Sequence, residues 1–526
     1  MTEHVLDLET DVLVAGGGPA GTWAALRAAD AGADVLLVDK GWCGASGATA
    51  ASGTSVWYVD PDPAARETAM GAREALGGYL ADRDWMARVL DETWTGMNEL
   101  SARGRYPFPH DDSGREIRRG VQGPEYMRRM RALVRRAGVR ILDHSPLAEL
   151  LTAADGSVAG ATGTRRQEHV DYRVRAGAVV LATGGCALGG GALGCDVNTG
   201  DGALAAAEVG AHLSGMEFSN AYAIAPVNSS VTKTAYYSYA SFHHADGSVL
   251  EGAGSTRGRS VIARTLLTEP VLCRLDHATP DERVAMRRGQ PNFFLPFDRA
   301  GIDPFTDLFE ITLLAEGTVR GTGGLALASP ACDTAVPGLY AAGDVATREH
   351  ICGGFTGGGS HNAAWALSSG SWAGRAAAAH ARSSGRALPT RTGAGPGRRT
   401  SARDVVRAVQ DEVLPYEKNL MRHGDRLAPA LERLDGVWAA VREGVEGESW
   451  RVREATALTA VARWMYTAAL AREESRGMHK REDRPGSDPA WHHRLEVGGL
   501  DDVWVRAAPM VELPYRRAPL ESASPS

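Results

Sequence analysis

Three glycines and one aspartate carry the first recognisable chemistry in this chain. Gly16, Gly18 and Gly21 follow the apolar run 12–15 in the spacing G-x-G-x-x-G. Asp39 closes a second apolar run, 35–38, and lies 18 positions after Gly21. Glycine at such a turn lets the backbone bend sharply and approach a bulky anion. A helix starting there presents its positive end and unpaired N–H groups to phosphate. An acid at the end of the second strand accepts hydrogen bonds from a ribose. An ordinary glycine-rich turn needs none of this flanking context. The fingerprint alone does not separate NAD from FAD.

The stretch after Asp39, VDKGWCGASGATAASG (38–53), is rich in Gly, Ala, Ser and Thr. Small side chains either ease a turn or let the backbone lie against a large flat ligand. Beside the fingerprint, the second purpose is expected.

These residues must be positioned by buried strands and the helices between them. A run such as 12–15 fits a strand covered on both faces. AGAVVLATGG (176–185) is another such strand with a glycine exit, and NTGDGALAAAEVGAHL places Asp201 at a helix start. Segments 82–103 and 125–137 read as helices. From 219 to 304 aromatic and turn residues become frequent and strand–helix alternation is lost, which suggests an inserted domain. VPGLYAAGDVA (336–346) resumes the first pattern, followed by a small-residue helix over 363–379. A Gly-, Pro- and Ser-rich linker follows, and then amphipathic helices over 405–471.

A chain of 526 residues is too long for one core. Its net charge of −7 argues against nucleic acid, whose binders carry basic surfaces. The six cysteines include no C-x-x-C and no Cys/His cluster with metal spacing, so free thiols and no metal are expected. No secretory signal and no apolar run approaching a membrane span is present, so a soluble cytoplasmic protein is expected.

In this order the segments resemble the flavoprotein family of succinate dehydrogenase, fumarate reductase, L-aspartate oxidase and adenylylsulfate reductase. The resemblance rests on the fingerprint, SGATAASG, ATGG, NTGDGALAAAEVGAHLSGMEF, PGLYAAGDVA and REESRGMHKREDRP. It implies an α/β fold: a Rossmann-like FAD-binding domain, an inserted α+β capping domain and a C-terminal helical domain. The expected boundaries are 1–218 and 329–382 for the FAD-binding domain, 219–328 for the capping (substrate) domain, 383–404 for the linker, and 405–526 for the helical domain and tail.

The resemblance implies FAD contacts from Gly16, Gly18, Pro19, Ala20, Gly21, Asp39 and Lys40. Ser46, Gly47, Ala48, Thr49 and Gly53 would wrap the flavin and its diphosphate. Gly184, Asp201, Gly343, Asp344, Ser360 and Asn362 complete the expected cofactor set. Members with covalent flavin attach it through a histidine where this chain has Gly47, so noncovalent FAD is expected. The segment around Arg476, His479, Arg481 and Asp483 is expected to pack the helical domain onto the flavin domain.

The substrate motifs depart from the family. The F-H-P-T histidine is missing from MEFSNAYAIAP, which has Asn220, Ala221 and Tyr222 instead. The H-Y-T-M-G-G histidine gives way to Val319 and Arg320 in TVRGTGG, and a carboxylate-binding arginine gives way to Gly357. Arg259 in TRGRSVIAR resembles the family's catalytic arginine, with Arg257 and Arg264 as rivals. Dicarboxylates need charge-assisted donors at both ends, so a bulkier, less anionic substrate is expected. Arg259, Tyr222, His350 and His361 are the expected catalytic residues.

The expected activity is hydride transfer between flavin N5 and a C–C or C–N bond of a small non-dicarboxylate molecule, in specialised metabolism. Oxygen, a small carrier or an unseen partner protein would accept the electrons. The alternatives are a flavin-dependent monooxygenase and a catalytically degenerate flavin-binding subunit.

Overall fold

A computed structural model describes residues 5–356, 358–385 and 400–508. Most of the expected linker, the C-terminal tail and Gly357 lie outside the described residues.

The fold is α/β. A seven-stranded sheet is built around Leu6–Ala15, whose apolar half is fully buried. This strand runs parallel to Val35–Val38 on one side and to Val170–Leu181 on the other. Arg140–Leu142 extends the parallel sheet beyond Val35–Val38, and Leu339–Ala341 pairs in parallel with the end of Val170–Leu181. Val158–Arg165 and Leu147–Thr152 add two antiparallel edge strands. A parallel sheet must be covered on both faces, which explains the unbroken apolar runs.

The helix Pro19–Asp30 starts at the glycine turn, with Pro19 in its first turn and Gly18 as its N-cap. It packs on the 27-residue helix Gly358–Ser384. A Cβ added to Gly370 would lie 2.3 Å from the Ala20 carbonyl oxygen, and one at Gly374 would lie 2.2 Å from that of Ala24. The small residues of the second helix therefore allow backbone to meet backbone, and this contact fixes the glycine turn.

Segment 221–316 contributes a second, antiparallel sheet. Its order is Ala221–Pro226, Phe309–Glu316, Val271–Arg274, Ser241–His243. Phe293, Phe294 and Phe297 from the helix Pro291–Ala300 fill a core separate from that of the parallel sheet. The aromatic-rich composition reflects this small independent core.

Three long helices follow: Ala402–Val413, Gly424–Glu443 and Ser449–Ala471. The chain does not continue as helix. Arg494–Gly498 and Trp504–Ala508 form a hairpin that joins Leu213–Ser214 and Gly324–Leu325 in a four-stranded sheet. The C-terminal region is thus joined to the rest of the chain by backbone pairing as well as helix packing. Among the described residues no helix is long and apolar enough to cross a membrane.

Candidate active site

A cleft with a cavity volume of about 300 Å³ runs from the glycine turn to Lys233 and Arg320, in segments that flank the strands of the second sheet. Its floor is the C-terminal edge of the parallel strands, where ligands bind in open α/β sheets.

At one end the sharp turn holds Gly16 at φ +111°, a conformation that favours glycine. A Cβ there would strike the Ala182 carbonyl oxygen at 2.2 Å, whereas one at Gly18 would meet nothing within 4 Å. The first turn of the Pro19–Asp30 helix has no side-chain cap. Its N–H groups therefore suit an external anion.

Asp39 is buried and its carboxylate is already engaged. Oδ2 accepts from the Gly17 N–H at 2.5 Å; Oδ1 accepts from the Gly41 N–H at 2.8 Å and the Ser46 hydroxyl at 2.9 Å. The residue expected to meet a ribose thus also fixes the turn and the small-residue loop to each other.

Lys40 Nζ donates to Asp201 at 2.7 Å and to Thr199 at 2.6 Å, and pairs with Glu454 at 2.5 Å. Burial works against the Lys40 charge, but the two carboxylates outweigh it and hold its pKa above the ordinary value. This links the cleft to the helix Ser449–Ala471. Asp344 pairs with the fully buried Arg348 at 2.6 Å, and burial raises its pKa.

Among the expected cofactor residues, Gly21 and Ser360 do not line the cleft; the others do. Gly21 instead lets the helix pack on its own turn, since a Cβ there would lie 1.7 Å from the Gly16 carbonyl oxygen. The cleft wall also offers Thr183 Oγ1 and Asn198 Oδ1, both buried without a protein partner. Buried polar atoms of this kind fit a ligand that completes them. The turn, the uncapped helix end and these orphaned atoms suit a large dinucleotide.

The expected catalytic residues are placed differently. Tyr222 does not line the cleft: its hydroxyl donates to the Val413 and Leu414 carbonyls, both at 3.0 Å. His350 stacks on Trp85 and accepts from Arg494 at 2.9 Å. Burial, reinforced by Arg494, pushes its pKa well below the ordinary value. Both are spent on holding segments together. His361 packs on Trp57 with ring centroids 4.4 Å apart and is bonded to Ser360; its neighbours Gly359 and Asn362 line the cleft, and its own side chain does not. Arg259 stands behind the lining, its Nη1 donating to the Tyr222 carbonyl at 3.2 Å.

Two charged lining residues escaped the sequence reading as site residues: Lys233 and Arg320. Both pair with Glu316, which is fully buried at the end of its strand. Asn220, where the family has its histidine region, donates to the Asn419 and Met478 carbonyls and serves the joint between segments. The C-terminal motif does likewise. Arg476 donates to the Gly78 carbonyl at 2.7 Å, and a Cβ at Gly477 would strike the Gly354 carbonyl oxygen. His479 is bonded to Arg422 at 2.7 Å in the same buried network.

With this geometry in hand, comparison with known proteins identifies the class. A family model described as "FAD binding domain" matches residues 11–228, and one described as "Fumarate reductase flavoprotein C-term" matches residues 416–509. L-Aspartate oxidase of Streptomyces coelicolor is 27% identical, covering 93% of this chain and 91% of the relative. A fumarate reductase (CoM/CoB) polypeptide of Methanothermobacter marburgensis is 26% identical, covering 93% and 96%. The solved E. coli quinol fumarate reductase has a TM-score of 0.80 at 20% identity, covering 97% of this chain and 98% of the other, which shows the shared fold. The protein is an FAD-dependent oxidoreductase. Over nearly its whole length the chain is similar, at low identity, to the flavoproteins of the fumarate reductase and L-aspartate oxidase type.

Proposed function

We propose that this enzyme binds FAD noncovalently in the cleft and exchanges hydride with a C–C or C–N bond of a small molecule other than a dicarboxylate. FAD, when bound, supplies the two-electron centre, and the protein supplies position and electrostatics. The glycine turn and uncapped helix would hold the pyrophosphate, and Asp39 would order the loop around it. Lys40 with Asp201, Thr183 and Asn198 would hold the polar parts of the cofactor along the wall. Gly47 (φ +90°) has open space beside it where covalent relatives have a histidine. Among the described residues no His or Cys lines the cleft, which supports noncovalent attachment.

The observation that carries the substrate reading is the lining of the far end. Val319, Gly358, Gly359 and Asn362 form one wall, and the cations stand together at Lys233 and Arg320. A dicarboxylate needs charged donors at two separated ends.

The test is anaerobic mixing of FAD-loaded protein with succinate or L-aspartate, and of reduced protein with fumarate. None should change the flavin redox state, whereas dithionite should reduce it. Bleaching by succinate or L-aspartate, or reoxidation by fumarate, would remove the proposed substrate class.

A further inference from the structure

The cap end of the cleft carries more positive charge than its own carboxylate balances. Glu316 Oε1 accepts from Thr232 at 2.6 Å and pairs with Lys233 Nζ at 2.9 Å. Arg320 Nε stands 3.3 Å from Oε2. Burial alone would raise the Glu316 pKa, but Arg320 and Lys233 outweigh it and hold it below the ordinary value, so the carboxylate is ionised. Arg259 lies beside Arg320. Burial first, then repulsion from Arg320, pushes its pKa down to about 10, which leaves it protonated at neutral pH.

Three cations thus share one carboxylate. Asp344 does not correct the imbalance because Arg348 already neutralises it. Arg259 Nε is buried with no hydrogen-bond partner. Among the described residues, the one pairing of the Arg320 side chain is its Nε contact with Glu316, whereas Lys233 Nζ also donates to the Leu193 carbonyl at 3.3 Å; both residues line the cleft. Concentrating like charges away from water is costly unless an anion completes the cluster. A guanidinium fork beside an ammonium matches the oxygens of an acid group. Cys195 is not a competing anion: burial pushes its pKa up to about 11, and its sulfur stands 3.1 Å from Lys233 as a neutral thiol.

We propose that Arg320 is the donor of an oxyanion-binding site for one acidic group of the substrate, with Lys233 and Arg259 adding positive charge and Glu316 holding Arg320 and Lys233 in position. The neighbouring wall of Val319, Gly359 and Asn362 is uncharged, so the cluster serves one acidic group. This assignment rests on the reading that substrate enters the FAD cleft. It explains how a chain without the family's histidines retains a charged anchor. The anchor comes from the loop after Ala221–Pro226 and from the turn that follows Phe309–Glu316.

The test is calorimetric titration of FAD-loaded protein with acetate, inorganic phosphate and acetamide, the last a neutral match for acetate. Arg320→Met is compared with wild type and with Arg320→Lys, after checking FAD content and melting temperature. Acetate or phosphate should bind and acetamide should not. Arg320→Met should weaken anion binding about tenfold or more, as loss of a charge-assisted hydrogen bond does, with Arg320→Lys retaining part. Preference for acetate identifies a carboxylate, and preference for phosphate a phosphoryl group. Equal affinity in wild type and Arg320→Met, equal binding of acetamide, or no anion binding would overturn the proposal. If the protein takes up no FAD, the cofactor reading itself fails. Acetate titration of the FAD-free protein and its Arg320→Met variant still decides whether the oxyanion site exists.

Discussion

Replacing Asp39 with Asn separates two roles that the sequence alone merges. The carboxylate accepts the Gly17 N–H on one oxygen and the Gly41 N–H with the Ser46 hydroxyl on the other. Asparagine keeps one acceptor. Its oxygen satisfies most by turning toward Gly41 and Ser46, which leaves its NH2 facing the buried Gly17 N–H. An unsatisfied buried donor costs about 1–3 kcal/mol. The two surviving bonds also lose their charge assistance, for about 2–4 kcal/mol in all. The donors belong to the chain, so the loss should appear in FAD-free protein as a melting temperature lower by several degrees. FAD affinity, read by fluorescence titration, should fall as well because the turn is no longer fixed. Ser46→Ala removes one donor and should cost only about 0.5–1.5 kcal/mol. If FAD-free Asp39→Asn melts with wild type while FAD affinity falls, Asp39 acts on the ligand alone and the loop-ordering argument is refuted.

Two other sites give opposite kinds of perturbation. Gly370→Ala should destabilise by about 1–3 kcal/mol through overpacking, because its Cβ would meet backbone 2.3 Å away. Helix propensity alone predicts a gain of about 1 kcal/mol, so the sign of the change in a urea melt decides between them. Glu349 is buried beside Glu217 and donated to by Ser214; burial, then repulsion from Glu217, pushes its pKa up to about 7. A carboxyl whose folded pKa lies above its unfolded value stabilises fully below the unfolded pKa, near 4.5, and loses that contribution as pH rises through about 7. Glu349→Gln, neutral throughout, should flatten the fall in melting temperature across that window; parallel wild-type and variant curves would contradict it.

The flavin-domain half of the fold was legible because its signals are local. A buried parallel strand is a continuous apolar run, and a tight turn demands glycine at Gly16 within a few residues of that run. The capping segment gave no such signal, since its antiparallel sheet pairs strands far apart in sequence, such as Tyr222 with Ala315. That pairing also explains where Tyr222 lies. Position in a motif suggested that Tyr222 faces substrate, but all six residues of its strand are buried and its hydroxyl is used by the helical region. His350 was likewise drawn into the joint with Arg494. The Lys233–Glu316–Arg320 cluster could not be read from spacing, because Lys233 is brought to Glu316 only by tertiary folding. Arg320, four residues beyond Glu316, was visible as a departure from the family motif, although its ion pair was not. The C-terminal hairpin went unseen beneath the strong helical pattern that precedes it.

The central claim, that this cleft holds a noncovalent FAD, is tested most directly by denaturing the purified coloured protein and separating supernatant from pellet. The account predicts FAD in the supernatant, identified by chromatography. Flavin retained in the pellet would contradict noncovalent attachment and the reading of Gly47, and a protein that cannot be loaded with FAD at all would contradict the account as a whole.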